Sequence, residues 1–130
     1  MHQVLQPPNW ARPKGYVNGL VASGRMVFVA GQVGWNAEER FESDDFVDQA
    51  RQALKNIVAV LAEADAGPDT ITRMTWYVLD KTEYLGCARD LGGAYREVIG
   101  DHYPVMSLVQ VAGLVEEGAR LEIEATAVIP

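Results

Sequence analysis

Tyr103-Pro104-Val105-Met106-Ser107-Leu108-Val109-Gln110-Val111-Ala112-Gly113-Leu114, followed six residues later by Leu121-Glu122-Ile123-Glu124-Ala125, is the stretch whose reading decides the fold. It predicts two β-strands joined by a short acidic turn. In the second run Leu121, Ile123, Ala125, Ala127 and Ile129 alternate with Arg120, Glu122, Glu124 and Thr126. A period of two places the first set against a core and the second set on the opposite face. In the first run Val105, Ser107, Val109 and Val111 share one side, and Met106, Leu108, Gln110 and Ala112 the other. The second face of the sheet therefore mixes large apolar groups with a few polar ones, a composition that points to a subunit interface. Glu122 stands in the middle of an apolar strand. A carboxylate there does acid–base work if it lies in a cleft. Spacing alone leaves open that Glu122 and Glu124 lie on the wet face of an edge strand, or that Glu122 only pairs with Arg120 or with a neighbouring subunit.

Outward from this stretch, strands and helices interleave. Tyr16 to Ala22 predicts a strand, Ser23-Gly24-Arg25 a hairpin turn, and Met26 to Val33 a second strand in which Gly31 marks a bulge or a close approach. The following loop has room for one more short strand between Val33 and Phe41. Ser43, Asp44 and Asp45 signal a helix start, after which Phe46, Val47, Ala50, Leu54, Ile57, Val58 and Leu61 recur at helical spacing until Gly67-Pro68. Ile71 to Leu79 is β-branched and aromatic, hence a strand. Thr82 caps a second helix that Gly100 closes, and Gly92-Gly93 within it implies close packing. The expected class is α+β: one mixed sheet of about six strands with two helices on one face.

The composition narrows the possible functions. A chain of 130 residues predicts a single domain, 1–130, with an extended N-terminal segment over 1–15 that carries Pro7, Pro8 and Pro13. Eleven basic against eighteen acidic residues give a net charge of −7, which disfavours a nucleic-acid partner. No segment has the length and apolarity of a membrane span, and the N-terminus does not have the form of a signal peptide. Cys87 is the single cysteine, which rules out an intrachain disulfide and fits a reducing cytoplasm; its helical setting favours packing over nucleophilic chemistry. No His, Cys, Asp or Glu cluster has metal-ligand spacing, so no metal and no cofactor are expected. His102, near Pro104, is read as a surface residue or a proton carrier, and His2 as part of a frayed terminus.

Four segments together resemble the Rid family, also called YjgF or L-PSP. Gly15-Tyr16-Val17-Asn18-Gly19 is similar to its opening motif, and Ala30-Gly31-Gln32-Val33 to its Gly-Gln strand. Gln49 to Ile57 matches its Gln-x-x-x-x-Leu-x-Asn helix. Pro104 to Leu114 with Leu121-Glu122-Ile123 matches its C-terminal signature. The resemblance implies a chorismate-mutase-like homotrimer whose sheets form a barrel, with clefts between subunits where reactive imines or enamines are hydrolysed to ketone and ammonia. It implies Glu122 as the catalytic group and Tyr16, Gly31, Gly92, Met106 and Leu108 as substrate-binding positions, with Trp35 and Tyr103 as pocket walls. Three positions depart from the family pattern: Lys14-Gly15 replaces the usual Gly-Pro before Tyr16, Met106 stands where deaminases carry the carboxylate-binding Arg, and Gly92 where many carry Asn. A thioether offers no hydrogen bond to a carboxylate. The departure implies a substrate without a free α-carboxylate or, alternatively, a non-catalytic small-molecule-binding or regulatory trimer using the same cleft.

Overall fold

The computed structural model describes residues 2–130. Its elements run β1 (Gln3–Leu5), β2 (Gly19–Val21), β3 (Arg25–Val33), α1 (Phe46–Ala62), β4 (Ile71–Val78), α2 (Lys81–Gly86), α3 (Ala88–Val98), β5 (Val105–Gln110) and β6 (Leu121–Ile129). β3, β6, β4 and β5 form one mixed sheet in that spatial order, and β1 and β2 form a separate antiparallel pair. β6 is antiparallel to both of its neighbours, whereas β4 and β5 are parallel. β3 and β4 therefore also run the same way. α1 connects the first parallel pair across β6, and α2 and α3 connect the second, as parallel strands require a crossover.

Alternation along β6 divides the sheet into two faces. Leu121, Ile123, Ala125 and Ala127 are buried beneath the helices with Met74, Trp76 and Val78 of β4. α1 contributes Phe46, Ala50, Ala53, Leu54, Ile57 and Leu61, which share one helical face and are buried. Truncating a Leu in such a setting costs roughly 2–5 kcal/mol. Asp45 caps α1 by accepting from the Asp48 N–H at 3.0 Å. α1 ends at Ala62 rather than at Gly67-Pro68: Asp65 takes a left-handed conformation (φ 55°), and the Ala66 N–H turns back to the Leu61 carbonyl at 3.1 Å. Pro68 instead opens a 3-10 turn.

Four further expectations are corrected. β2 and β3 are not a hairpin, because β2 pairs with β1; Gly24 instead tucks against the end of β6, where a Cβ would lie 2.0 Å from the Ile129 carbonyl oxygen. β5 and β6 are not neighbours, because β4 lies between β5 and β6. No strand forms between Val33 and Phe41, where the Asn36 side chain accepts from the Glu38 and Arg40 N–H groups and closes a tight turn. The second helix is two helices, broken at Cys87, and its start is capped by Asp80 rather than Thr82. The terminus is also tied down: the His2 ring lies 3.3 Å from the Thr70 carbonyl.

Two amides of α1 fasten this arrangement. Gln49 is 1% exposed. It donates to the Ser43 and Gly118 carbonyls at 3.0 and 2.9 Å and accepts from the Arg120 N–H at 2.9 Å. Asn56 donates to the Val33 and Trp35 carbonyls at 3.1 and 2.8 Å. Gln49→Leu leaves the Ser43 and Gly118 carbonyls and the Arg120 N–H without their part-buried partner and is expected to cost about 1–3 kcal/mol. Urea denaturation of the two proteins measures this; a loss below about 1 kcal/mol would show that water replaces the amide.

Candidate active site

A cleft of about 350 Å³ opens between α3, the ends of β4 and β5, and the segment before β2. Helical periodicity brings Leu91, Gly92, Tyr95 and Arg96 to one wall, while Trp76, Met106 and Leu108 form the strand side. Met106 and Leu108 face the helices because β5 is in register with β4, Met106 opposite Met74 and Leu108 opposite Trp76. Tyr16 reaches the cleft because Val17 bridges to Val105 and its N–H donates to the Pro104 carbonyl at 3.2 Å. Tyr103 stacks on Tyr95 with ring centroids 5.5 Å apart and planes at 15°. The Tyr95 hydroxyl donates to the His102 carbonyl at 2.6 Å, and burial pushes its pKa well above the usual phenol range.

The structure thus brings together Tyr16, Gly92, Met106, Leu108 and Tyr103. It places Glu122 and Gly31 elsewhere. Both lie on the far face of the sheet, away from the helices. β3 carries a bulge between Val29 and Gln32, and it turns Gly31 toward Glu122. A Cβ at Gly31 would stand 2.0 Å from Glu122 Oε2. Any side chain there would push the Glu122 carboxylate from this position, which is the close approach the sequence signalled. Glu122 is also opposite Tyr77 across β4. The Tyr77 hydroxyl donates to Glu124 Oε1 at 2.6 Å. That hydrogen bond, followed by desolvation and the charges of Glu124 and Glu122, raises the phenol's pKa.

Glu122 is not tied up by Arg120. The Arg120 guanidinium pairs with Glu83 at 3.1 Å and Asp44 at 3.2 Å, on the other side of the strand. Its pKa rises chiefly through the hydrogen bond to Asp44. Trp35 is not part of the cleft: Asn56 holds its carbonyl, and its ring packs on Phe41 at 5.8 Å. No neighbouring element packs closely on the Gly92-Gly93 pair. A Cβ at Gly93 meets open space, and one at Gly92 meets only Arg96 Nη1 at 3.4 Å. Gly92 widens the cleft instead.

Of the remaining candidates, His102 serves the backbone, its ring Nε2 donating to the Ile71 carbonyl at 2.7 Å. Burial, then the charges of Asp45, Glu83 and Asp90, pushes the Cys87 thiol up, away from the thiolate a nucleophile needs. Among the described residues no three His, Cys, Asp or Glu side chains converge on a common point. No helix among the described residues is long and apolar enough to cross a membrane. Sequence reasoning missed Lys14, Leu91, Tyr95 and Arg96 as lining residues; the helical spacing from Gly92 to Arg96 was the available signal.

Residues 9–129 match the family model described as Endoribonuclease L-PSP. The chain is 34% identical over 116 residues to the putative reactive intermediate deaminase TdcF of Escherichia coli K12, covering 87% of this chain and 85% of that protein. It is 30% identical over 128 residues to the RutC family protein UK114 of Drosophila melanogaster, covering 98% and 89%. Its fold superposes on the Rid-family protein YyfB of Yersinia pestis with a TM-score of 0.82, at 29% identity and 98% coverage of both chains. Gly31 beside Glu122, the Gln49 and Asn56 amides of α1, and a match over nearly the full length agree: this chain belongs to the L-PSP family, also named Rid or YjgF.

Proposed function

We propose that the protein is a hydrolytic deaminase of a reactive imine or enamine, working as a homotrimer in which the Glu122 face of one copy closes the Tyr16–Met106 cleft of the next. The observation that carries this reading is the pairing of Gly31 with Glu122. A bulge and a side-chain-free position make room for one carboxylate, which forms no ion pair among the described residues. The same face exposes apolar groups that favour a partner: Phe28 is 72% exposed, Met26 57% and Val109 46%. A second copy covering that face would desolvate Glu122, the condition under which a carboxylate becomes an effective base near neutral pH.

The chemistry needs only water. Glu122 accepts a proton from water as its oxygen adds to the carbon of the protonated C=N group, giving a neutral carbinolamine. The carboxyl then passes that proton to nitrogen; as the C–N bond breaks and ammonia leaves, the hydroxyl gives its proton to the Glu122 carboxylate and the C=O bond forms. An enamine is first protonated on carbon by solvent, which gives the same protonated C=N group. Met106 in place of an arginine supports a substrate without a free α-carboxylate at that wall, since a thioether offers a carboxylate no hydrogen bond. The net charge of −7 argues against RNA as the substrate, despite the family model's description. A second reading, a non-catalytic binding trimer, draws on the same absence of polar groups at Gly92 and Met106.

Imines generated in situ by an amino-acid oxidase or a lyase, with and without carboxylates, give the test: ketone or ammonia release is expected to accelerate, and Glu122→Gln to lose roughly a hundredfold or more. No acceleration on any imine, or an unchanged rate in Glu122→Gln, would overturn the deaminase and leave the binding reading. Gly31→Ala is expected to match the Glu122→Gln loss while melting within a few degrees of the wild type, because its methyl displaces the carboxylate. Native mass spectrometry is expected to find three copies; a monomer at micromolar concentration would remove the proposed cleft closure. Met106→Arg is expected to raise hydrolysis of amino-acid-derived imines roughly tenfold or more through a charge-assisted pair.

A further inference from the structure

The cleft lacks a cation at position 106, but it is not electrically neutral. Its charged lining residues are Lys14 and Arg96, and no carboxylate lines it. In a chain of net charge −7 this is a local reversal of sign. Arg96 lies one helical turn after Gly92, on the same face of α3. Helical side chains lean toward the N-terminus, so Arg96 covers the patch above Gly92. A Cβ built on Gly92 would stand 3.4 Å from Arg96 Nη1, so the guanidinium lies over the bare glycine at contact distance. Arg51 and Arg120 are committed to carboxylates, whereas among the described residues neither Arg96 nor Lys14 has an ion-pair partner. An unpaired guanidinium at the edge of an aromatic cleft has its planar donors available to an oxyanion.

We propose that Arg96 is the specificity residue of the cleft: it binds the anionic group of an apolar ligand at the helical wall, with Lys14 as a second cation at the rim. The substrate class is an organic anion, carboxylate or phosphate monoester, whose apolar body meets Tyr103, Met106 and Leu108. The anion is held on α3, away from the β5 position where Met106 stands. Gly92 and Met106 are then two parts of one change, the first making room for Arg96 and the second giving apolar surface to the ligand's body. This rests on reading the cleft as the substrate site.

Titration calorimetry on the full chain with phenylacetate, phenyl phosphate and phenylacetamide tests it. The anions are expected to bind roughly tenfold or more tightly than the amide, as one charge-assisted pair provides. In Arg96→Gln that preference is expected to collapse to about threefold or less, with affinity for the amide unchanged. Whichever anion binds better separates carboxylate from phosphate, and either supports the assignment. Equal binding of anion and amide, no binding of any of the three, or a preference that survives Arg96→Gln would overturn it. The readout is binding alone. An inactive protein that keeps the Arg96-dependent preference would sink the deaminase reading and leave this one standing. An active enzyme without the preference would do the reverse.

Discussion

β6 is hydrogen-bonded along both edges, to β3 on one side and β4 on the other, and this double pairing is the constraint on which the rest of the molecule depends. A strand held on two sides cannot slip by one residue without turning every side chain to the wrong face. Leu121, Ile123, Ala125 and Ala127 are therefore fixed beneath the helices, and Glu122 and Glu124 are fixed on the opposite face. The bulge in β3 changes register beside β6 and leaves Gly31 against Glu122. A single register thus serves the core and places the carboxylate.

The helix that covers this sheet is secured by amides as well as by apolar contact. Gln49 joins α1 to the loop before it and to the turn before β6, and Asn56 joins α1 to the end of β3. Both residues belong to the motif that carries the family resemblance. Their partners are part-buried backbone groups at the ends of strands and turns. The motif is therefore a fastening of the scaffold, and a search for chemistry in it would be misdirected. The same holds for His102 and Cys87, whose side chains serve local backbone and packing.

Within one chain the candidate site is divided. The apolar and cationic half lies between α3 and the helix-facing side of β4 and β5. The carboxylate half lies on the other side of the sheet. A binding cleft that needs both halves needs two copies of the chain, which is a physical reason for coupling assembly to activity in such a protein. It also separates two tasks. Residues on α3 and β5 can change without disturbing the Gly31–Glu122 contact on the other face.

The sequence by itself determined the class of fold, the alternation along β6, the start and stripe of α1, and the glycine that admits Glu122, because each depends on local periodicity or backbone freedom. It did not determine which strands are neighbours. β5 and β6 are consecutive in the chain yet separated in space, and β2 follows a turn into β3 yet pairs with β1; such choices rest on long-range pairing energy that no local pattern records. Nor did it show that Met106 and Glu122 occupy opposite faces, which follows from the parallel register of β5 on β4. Arg96 was hidden for the same reason. Its helical spacing from Gly92 was legible, but that the shared face overlooks a cleft devoid of carboxylates was settled only when α3 was laid against the sheet.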